Sequence, residues 1–405
     1  MIHSTVTLLQ VVAIFGCCSS CAYYLLCLWS AASFLRWRKA GRSARPTQDC
    51  PTQDCSTQDP PTPVLPPVSI LKPLKGTDPE IYRSFRSHCL QDYPEYEIVF
   101  GVSDANDPAV ASVEQLRNEF PAAAIRLVVC PEILGENRKL SNLAQMLRQA
   151  RYSYLIVNDS DIRVESDYLQ RVVAPLLHQE IGMVTCLYRG ISAPTLGSRL
   201  ESLGISADFC AGVLAARTLE GGLQFGLGST MALRREDLQR IGGFESFADY
   251  LADDYELGKR IAELGLGVHL SEVVVETFLP AYSLREFVAH QLRWSRGMRD
   301  SRPGGYFGMV FTFGLAWSIL CVAVSGGKMW VWSLLVVTWL LRCLVGAVMD
   351  KSVLRHRESF WNLLLLPFRD FAAVVVWLGS FAGNTVIWRG ERFQLRNGKL
   401  IRRAS

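Results

Sequence analysis

The chain is short of charge. Asp, Glu, Lys and Arg make up 20% of its 405 residues, while hydrophobic residues make up 49%. That balance argues against an ordinary soluble enzyme. The formal net charge of +4 is too small to hold a polyanion, so no nucleic-acid partner is expected. No disulfide framework is readable either. Cys17, Cys18, Cys21 and Cys27 fall in one apolar run, and Cys89, Cys130, Cys186 and Cys210 are scattered singly. Zinc-ligand spacing occurs only at Cys18/Cys21, inside that run, and a reducing compartment is the simplest setting. A cleavable leader is missing as well. Residues 6–35 carry no charge and no basic region precedes them, so the run is too long for a signal peptide and reads as an uncleaved membrane anchor. The five cations of "RWRKAGRSAR" come directly after it, which places this flank and the domain beyond it on the cytoplasmic side.

Composition then divides the chain. Residues 1–35 are the anchor, and 36–67 are a basic flank and a Pro-rich linker built on the tandem repeat "PTQDCPTQDCSTQDP". In 68–303 apolar β-rich runs ("VSILKPL", "YEIVFGVSD", "AIRLVVC", "YLIVNDSD", "GMVTCLY", "GSTMALRR") alternate with helical stretches such as "NRKLSNLAQMLRQA". That alternation predicts an α/β domain with a mainly parallel sheet and ligands at the carboxyl ends of its strands. Residues 304–388 hold two candidate spans joined by "SGGK", and a third stretch interrupted by Pro367, Arg369 and Asp370. The tail, 389–405, is basic and expected to be cytoplasmic, although one clean third span would put it on the other side.

The stretch "YLIVNDSDIRV" runs an apolar strand into Asp159 and Asp161. In extended chain these side chains point the same way and Ser160 points opposite. Two readings stand: a divalent cation neutralises the pair, or the residues form a polar turn beside Arg163. Asp104 ends an earlier strand. Asp253 and Asp254 open an amphipathic helix, and His290, Arg293 and Trp294 share one helical face. Each has a plain alternative as turn residue, helix cap or stacked surface pair.

In that order the residues resemble the inverting, GT-A-type glycosyltransferases of families 2 and 21. More locally, "VSILKPLKGTDPE", "LQDYPEYEIVFGVSDANDPA", "NRKLSNL", "DSDIRV" and "WRGERFQL" are similar to the ceramide glucosyltransferases and to bacterial hopanoid-biosynthesis glycosyltransferases. The likeness runs from about Val68 to the C-terminus. One position departs from it: the family has Gln or Arg three residues before the motif arginine, where this chain has His290, whose charge depends on pH near neutrality.

The resemblance implies a UDP-sugar donor and a membrane-lipid acceptor. Asp104 would hold the uridine, with Lys72, Lys139 and Asn142 lining the nucleotide side. Asp159 and Asp161 would bind ribose and a Mg²⁺ or Mn²⁺ ion, and Arg293, with His290 and Trp294 on its face, would meet the diphosphate. Asp254 would be the general base, with Asp253 its nearest competitor. The basic aromatic hinge "RWSRGMRDSRPGGYF" would form a membrane-facing lip. The alternatives are a hopanoid (N-acetyl)glucosaminyltransferase, a polysaccharide synthase, which needs more spans, and a membrane protein that binds UDP-sugar without turnover.

Overall fold

The computed structural model describes residues 2–43, 65–356, 360–388 and 390–402. The repeat at 46–60 therefore lies outside the described residues. Helix α1 (Ile2–Ser43) precedes β1 (Val68–Leu74), α2 (Ile81–Cys89), β2 (Tyr96–Val102), α3 (Ala109–Glu119), β3 (Ile125–Val129), α4 (Arg138–Gln149) and β4 (Tyr154–Val157). The domain continues through β5 (Ile162–Arg163), α5 (Tyr168–Val173), β6 (Ile181–Ile191), α6 (Leu196–Gly204), α7 (Ala211–Leu219) and β7 (Met231–Arg234). It closes with α8 (Arg235–Arg240), α9 (Asp253–Glu263), β8 (Gly267–Phe278) and α10 (Leu284–Ser301).

These strands form one eight-stranded sheet in the order β3-β2-β1-β4-β7-β6-β8-β5. The first four are mutually parallel, β7 enters antiparallel between β4 and β6, and β8 runs parallel to β6. This is the α/β, mostly parallel GT-A arrangement that the motifs imply. Central strands covered on both faces bury every position, and successive residues feed opposite cores. Thus Ile70, Ile98 and Ile156 pack in one cluster, and Leu71, Val99 and Leu155 in the other. Parallel register brings the carboxyl ends of β1, β2 and β4 to one edge.

Two elements lie outside the expected pattern. One is β8, whose Ser and Glu residues break up its apolar run. The other is the pair α6 and α7, joined by a π-helical turn at Ile205–Cys210. Glycines weaken this helix locally, and tertiary packing explains one of them. A Cβ on Gly204 would stand 2.5 Å from the Arg369 Nε atom.

The remaining helices are α11 (Pro303–Gly308), α12 (Gly314–Val324), α13 (Met329–Ala347) and α14 (Leu366–Ser380). By length and apolarity, three described helices could cross a membrane, Val6–Ala40, Met329–Val353 and Trp361–Ser380, or four if the pair Pro303–Thr312 and Gly314–Val324, bent by 54°, counts as one span. Helices α12 and α13 lie as a hairpin along α1. Gln10 near the start of α1 bonds the Val324 carbonyl at 2.7 Å, and Arg38 near its end bonds the Val353 carbonyl at 2.9 Å. At that same end Arg189 of β6 reaches the Leu354 carbonyl at 2.9 Å, so the hairpin returns to the α/β domain.

Helix α14 touches α10 at both ends. Arg369 donates to Gln291 at 3.0 Å, and Arg299 donates to the Ser380 carbonyl. Helix α14 itself has 15 residues and, with the helical turn before it, makes up the 20-residue candidate span Trp361–Ser380. Residues beyond it fold into an antiparallel sheet, β9 (Thr385–Trp388), β10 (Glu391–Arg396) and β11 (Lys399–Arg402), in the order β11-β10-β9. This sheet docks on the α/β domain, so the C-terminal basic segment lies on that domain's side.

Candidate active site

Four chain segments meet at the carboxyl edge of the sheet. Asn158, just past β4, is buried and donates to Tyr168 Oη at 3.0 Å, the Ser229 carbonyl at 2.7 Å and Thr230 Oγ1 at 3.2 Å. That pins the end of β4 to the loop before β7. Ser160 turns to Asp78, and Asp161 accepts the Thr277 hydroxyl of β8.

Asp159 meets α4. Its Oδ1 lies 2.7 Å from Lys139 Nζ, and the same ammonium is 2.8 Å from Asp253 Oδ2 at the start of α9. Burial works against the Lys139 charge, but Asp159 and Asp253 outweigh it and hold the ammonium above the usual lysine range. Asp254 forms no direct ion pair among the described residues, and the Lys139 charge only partly offsets the effects that raise it. Its Oδ2 accepts the Gly228 N–H at 2.9 Å and its Oδ1 the Tyr255 N–H at 2.8 Å. Burial, reinforced by the Asp253 charge, pushes its carboxyl up to about 6. Asp161 is likewise pushed up to about 6 by burial and by Asp159.

Lys72 of β1 lies beneath this cluster. It is fully buried, and its Nζ donates to the Asp159 main-chain carbonyl at 2.8 Å. Burial lowers it to about 7 even though Asp161, Asp159 and Asp78 pull the other way. Lys72 therefore supports the loop from below. Asp104 is exposed at the end of β2, and its Oδ1 accepts from Asn106 N at 2.9 Å within its own turn.

The opposite wall is α10, which opens on a capping box between Ser283 and Glu286. The His290 ring stacks on Tyr282 at 5.3 Å, and its Nδ1 lies 3.3 Å from Glu201 Oε1. Gln291 also donates to Glu201, at 2.8 Å. Trp294 is part-exposed beside His290 and Phe209. Arg293 acts on Tyr282, a ring that also feels Asp161 and Asp78 and whose hydroxyl burial raises to about 12. Tyr282 thus stacks against the Arg-Trp helix through His290 and lies within electrostatic reach of Asp161 and Asp78. Tyr188 of β6 stands among Asp254, Glu201, Asp159 and Asp161, and its hydroxyl is raised by burial first and by those charges next.

The structure gathers Lys72, Lys139, Asp159, Asp161, Asp253 and Asp254 into one cluster and sets His290, Arg293 and Trp294 along the facing helix. Sequence reading missed Gly228, Tyr188, Tyr282, Thr277 and Glu201. Gly228 and Tyr188 carried a local signal, as the first residue of one quoted strand run and the last of another.

Among the described residues, no group of three or more His, Cys, Asp or Glu side chains could hold a metal ion. Asp159 and Asp161 nevertheless offer a pair of hard oxygen donors, with the Asp161 carboxyl buried beside the Asp159 charge. That donor chemistry fits a divalent ion of the Mg²⁺ type, which takes its other ligands from phosphate and water.

Comparisons bear on the whole chain. Ceramide glucosyltransferases 1 and 3 of Caenorhabditis elegans are 24% and 28% identical over 363 and 358 residues, covering 84% and 83% of this chain and 74% of each relative. Among solved structures, a Pyrobaculum calidifontis mannosyltransferase in complex with GDP-Man and Mn²⁺ is 19% identical and covers 92% of this chain and 98% of its own, with a TM-score of 0.48. The sequence profile of glycosyl transferase family 21 matches residues 12–401, nearly the full length, and the chain belongs to that family.

Proposed function

We propose that this protein transfers a hexose from a UDP-sugar to the hydroxyl of a membrane lipid with inversion, as a ceramide-type glucosyltransferase. Membership of family 21 and the activities named for its two nematode relatives support a glycolipid glucosyltransferase. The observation that carries the mechanism is the unequal treatment of Asp253 and Asp254. Lys139 neutralises Asp253 at 2.8 Å, whereas Asp254 keeps a carboxyl raised to about 6, matched to a general base working near neutral pH.

Asp254 takes the proton of the lipid hydroxyl as that oxygen attacks the anomeric carbon. The carbon–oxygen bond to the diphosphate breaks on the opposite face, UDP departs, and the configuration inverts. Arg293 and Lys139 hold charge on the diphosphate side. Asp104 faces the uridine, and His290 and Trp294 line the same wall. Asp159 and Asp161 would hold the divalent ion, Mg²⁺ or Mn²⁺, whose contribution is charge neutralisation of the leaving diphosphate. Lys72 fixes the height of Asp159 through its main chain. The α/β domain is read as cytoplasmic from the cations that come after the anchor.

The test is a transfer assay on detergent-solubilised protein with UDP-glucose and UDP-N-acetylglucosamine against ceramide and a hydroxylated hopanoid, with and without EDTA. An EDTA-sensitive glucosylceramide that disappears in Asp254→Asn supports the reading. A hopanoid product would move the acceptor, and failure to bind any UDP-sugar would reject the class.

A further inference from the structure

The C-terminal hairpin reaches the segment that leads into α9. Its turn, Asn397-Gly398, has φ of 52° and 79°, left-handed backbone that Asn and Gly adopt readily. The strands it joins bury Phe393, Leu395 and Leu400 with Val386, and Leu251 of the α/β domain leans on that small core. Two main-chain bonds complete the junction: Leu400 N–H to the Asp249 carbonyl at 2.7 Å, and Leu251 N–H to the Gly398 carbonyl at 3.0 Å. Gly398 N–H also donates to Asp300 of α10, and Lys399 Nζ stands 5.3 Å over the Tyr250 ring.

The same segment is gripped from the other side by the start of α4. Asn137 Nδ2 donates to the Tyr250 carbonyl at 2.7 Å, and Asn137 N–H to the Ala248 carbonyl at 2.8 Å. Residues 248–252 have no helix or strand of their own, only an isolated bridge between Tyr250 and Lys399. Such a loop holds a position only through its neighbours. One neighbour carries Lys139; the other is the hairpin. The sheet that carries the hairpin is itself tied to α10, because Arg296 donates to the Thr385 carbonyl at the start of β9 and Arg299 to the Ser380 and Gly383 carbonyls just before it.

We infer that the C-terminal hairpin is a positioning element for sugar transfer: through Gly398 and Leu400 it sets the first turn of α9, and so where Asp254 meets the acceptor hydroxyl. The inference rests on the proposed function, in which Asp254 is the base. It gives the basic tail a task beyond holding the chain at a membrane. It also links the last apolar helix to the reacting group through one short sheet.

The experiment uses the full chain in detergent and two variants. Gly398→Val puts a side chain where φ is 79° and where a Cβ would stand 3.1 Å from the Tyr250 ring. Asp300→Ala removes the acceptor under the turn and leaves the hairpin core intact. Amide hydrogen exchange is read over residues 249–256, and steady-state transfer is measured with UDP-sugar varied. Exchange in that window should rise in both variants. kcat should fall on the order of tenfold to a hundredfold, the scale of a small misplacement of a catalytic group, while KM for the donor stays within about twofold. Unchanged exchange, or raised exchange with unchanged kcat, overturns the inference. So does a raised donor KM at constant kcat, since the hairpin would then serve donor binding. A wild-type chain that transfers nothing rejects the functional reading instead, and exchange alone then judges the hairpin's hold on 249–256.

Discussion

Asp159 and Asp254 face one another across a glycine. A Cβ placed on Gly228 would lie 3.3 Å from Asp159 Oδ2 and 3.4 Å from Asp254 Oδ2. The end of β4 and the start of α9 are far apart in sequence, yet this loop lets both present an oxygen to the same space. Its own N–H steadies one of them. Gly228→Ala needs no unusual backbone, so its effect should fall on the carboxylates. The expected outcome is a drop in kcat on the order of tenfold or more with UDP-sugar binding retained. A variant with wild-type turnover would show that the two oxygens do not need this spacing.

The acid side of the pH–rate profile should report Asp254. Below about pH 6 its carboxyl holds a proton and cannot take another from the acceptor, so kcat/KM should rise with pH and level off above that value. Asp161 is raised into the same range, and because transfer needs both carboxylates ionised, the limb should be steeper than a single proton allows. Asp161→Asn should reduce that slope. Asp254→Asn should lose about 10²-fold or more in turnover while still binding UDP-sugar, which titration calorimetry would read separately.

Stability should run opposite to activity at Asp161. The unfolded chain releases this proton near the ordinary value of 3.8, and the folded chain keeps it until about 6. Between those values the folded state binds more protons, so stability falls as pH rises through the window, and the cost is complete above it. Ligand-free Asp161→Asn should therefore melt higher than the wild type at pH 7.5, by about 1–3 kcal/mol, with the advantage gone below about pH 4. Adding Mn²⁺ with UDP should raise the melting temperature of the wild type more than that of the variant. Equal gains would argue against Asp161 as a cation ligand.

The tail and the α12–α13 turn should lie on opposite sides of the membrane. Leu400 bonds Asp249 of the α/β domain, whereas Val324, just before the turn, bonds Gln10 near the start of α1. An epitope inserted after Gly327 and another after Ser405 would be tested with antibody in sealed vesicles. Only one should be reached before detergent is added, and the Ser405 tag should share its side with a tag on the exposed Glu236. Two tags on one side would mean that α12 and α13 do not cross.

Much of this was legible one residue at a time. A charge-free run long enough for a bilayer, the apolar strand ending on Asp159 and Asp161, and the acidic start of α9 are local patterns, and local physics gives each a short list of meanings. The hairpin was legible too, because Asn397-Gly398 between alternating strands is a turn signal. Its basic residues were read only for the side of the membrane they favour, and that hid it.

What the chain order determined by itself is the alternation that builds a parallel sheet, the apolar segments that seek lipid, and the acidic groups delivered to the carboxyl ends of strands. Only the folded molecule decided which acid is neutralised and which is left raised, because that depends on where one ammonium, Lys139, comes to rest among Asp159, Asp253 and Asp254. It likewise decided that Lys72 lies under the site, that Tyr188 and Tyr282 enter it, and that the last strands of the chain grip the loop before α9. Burial and charge–charge distance act through space, and no spacing along the sequence encodes them.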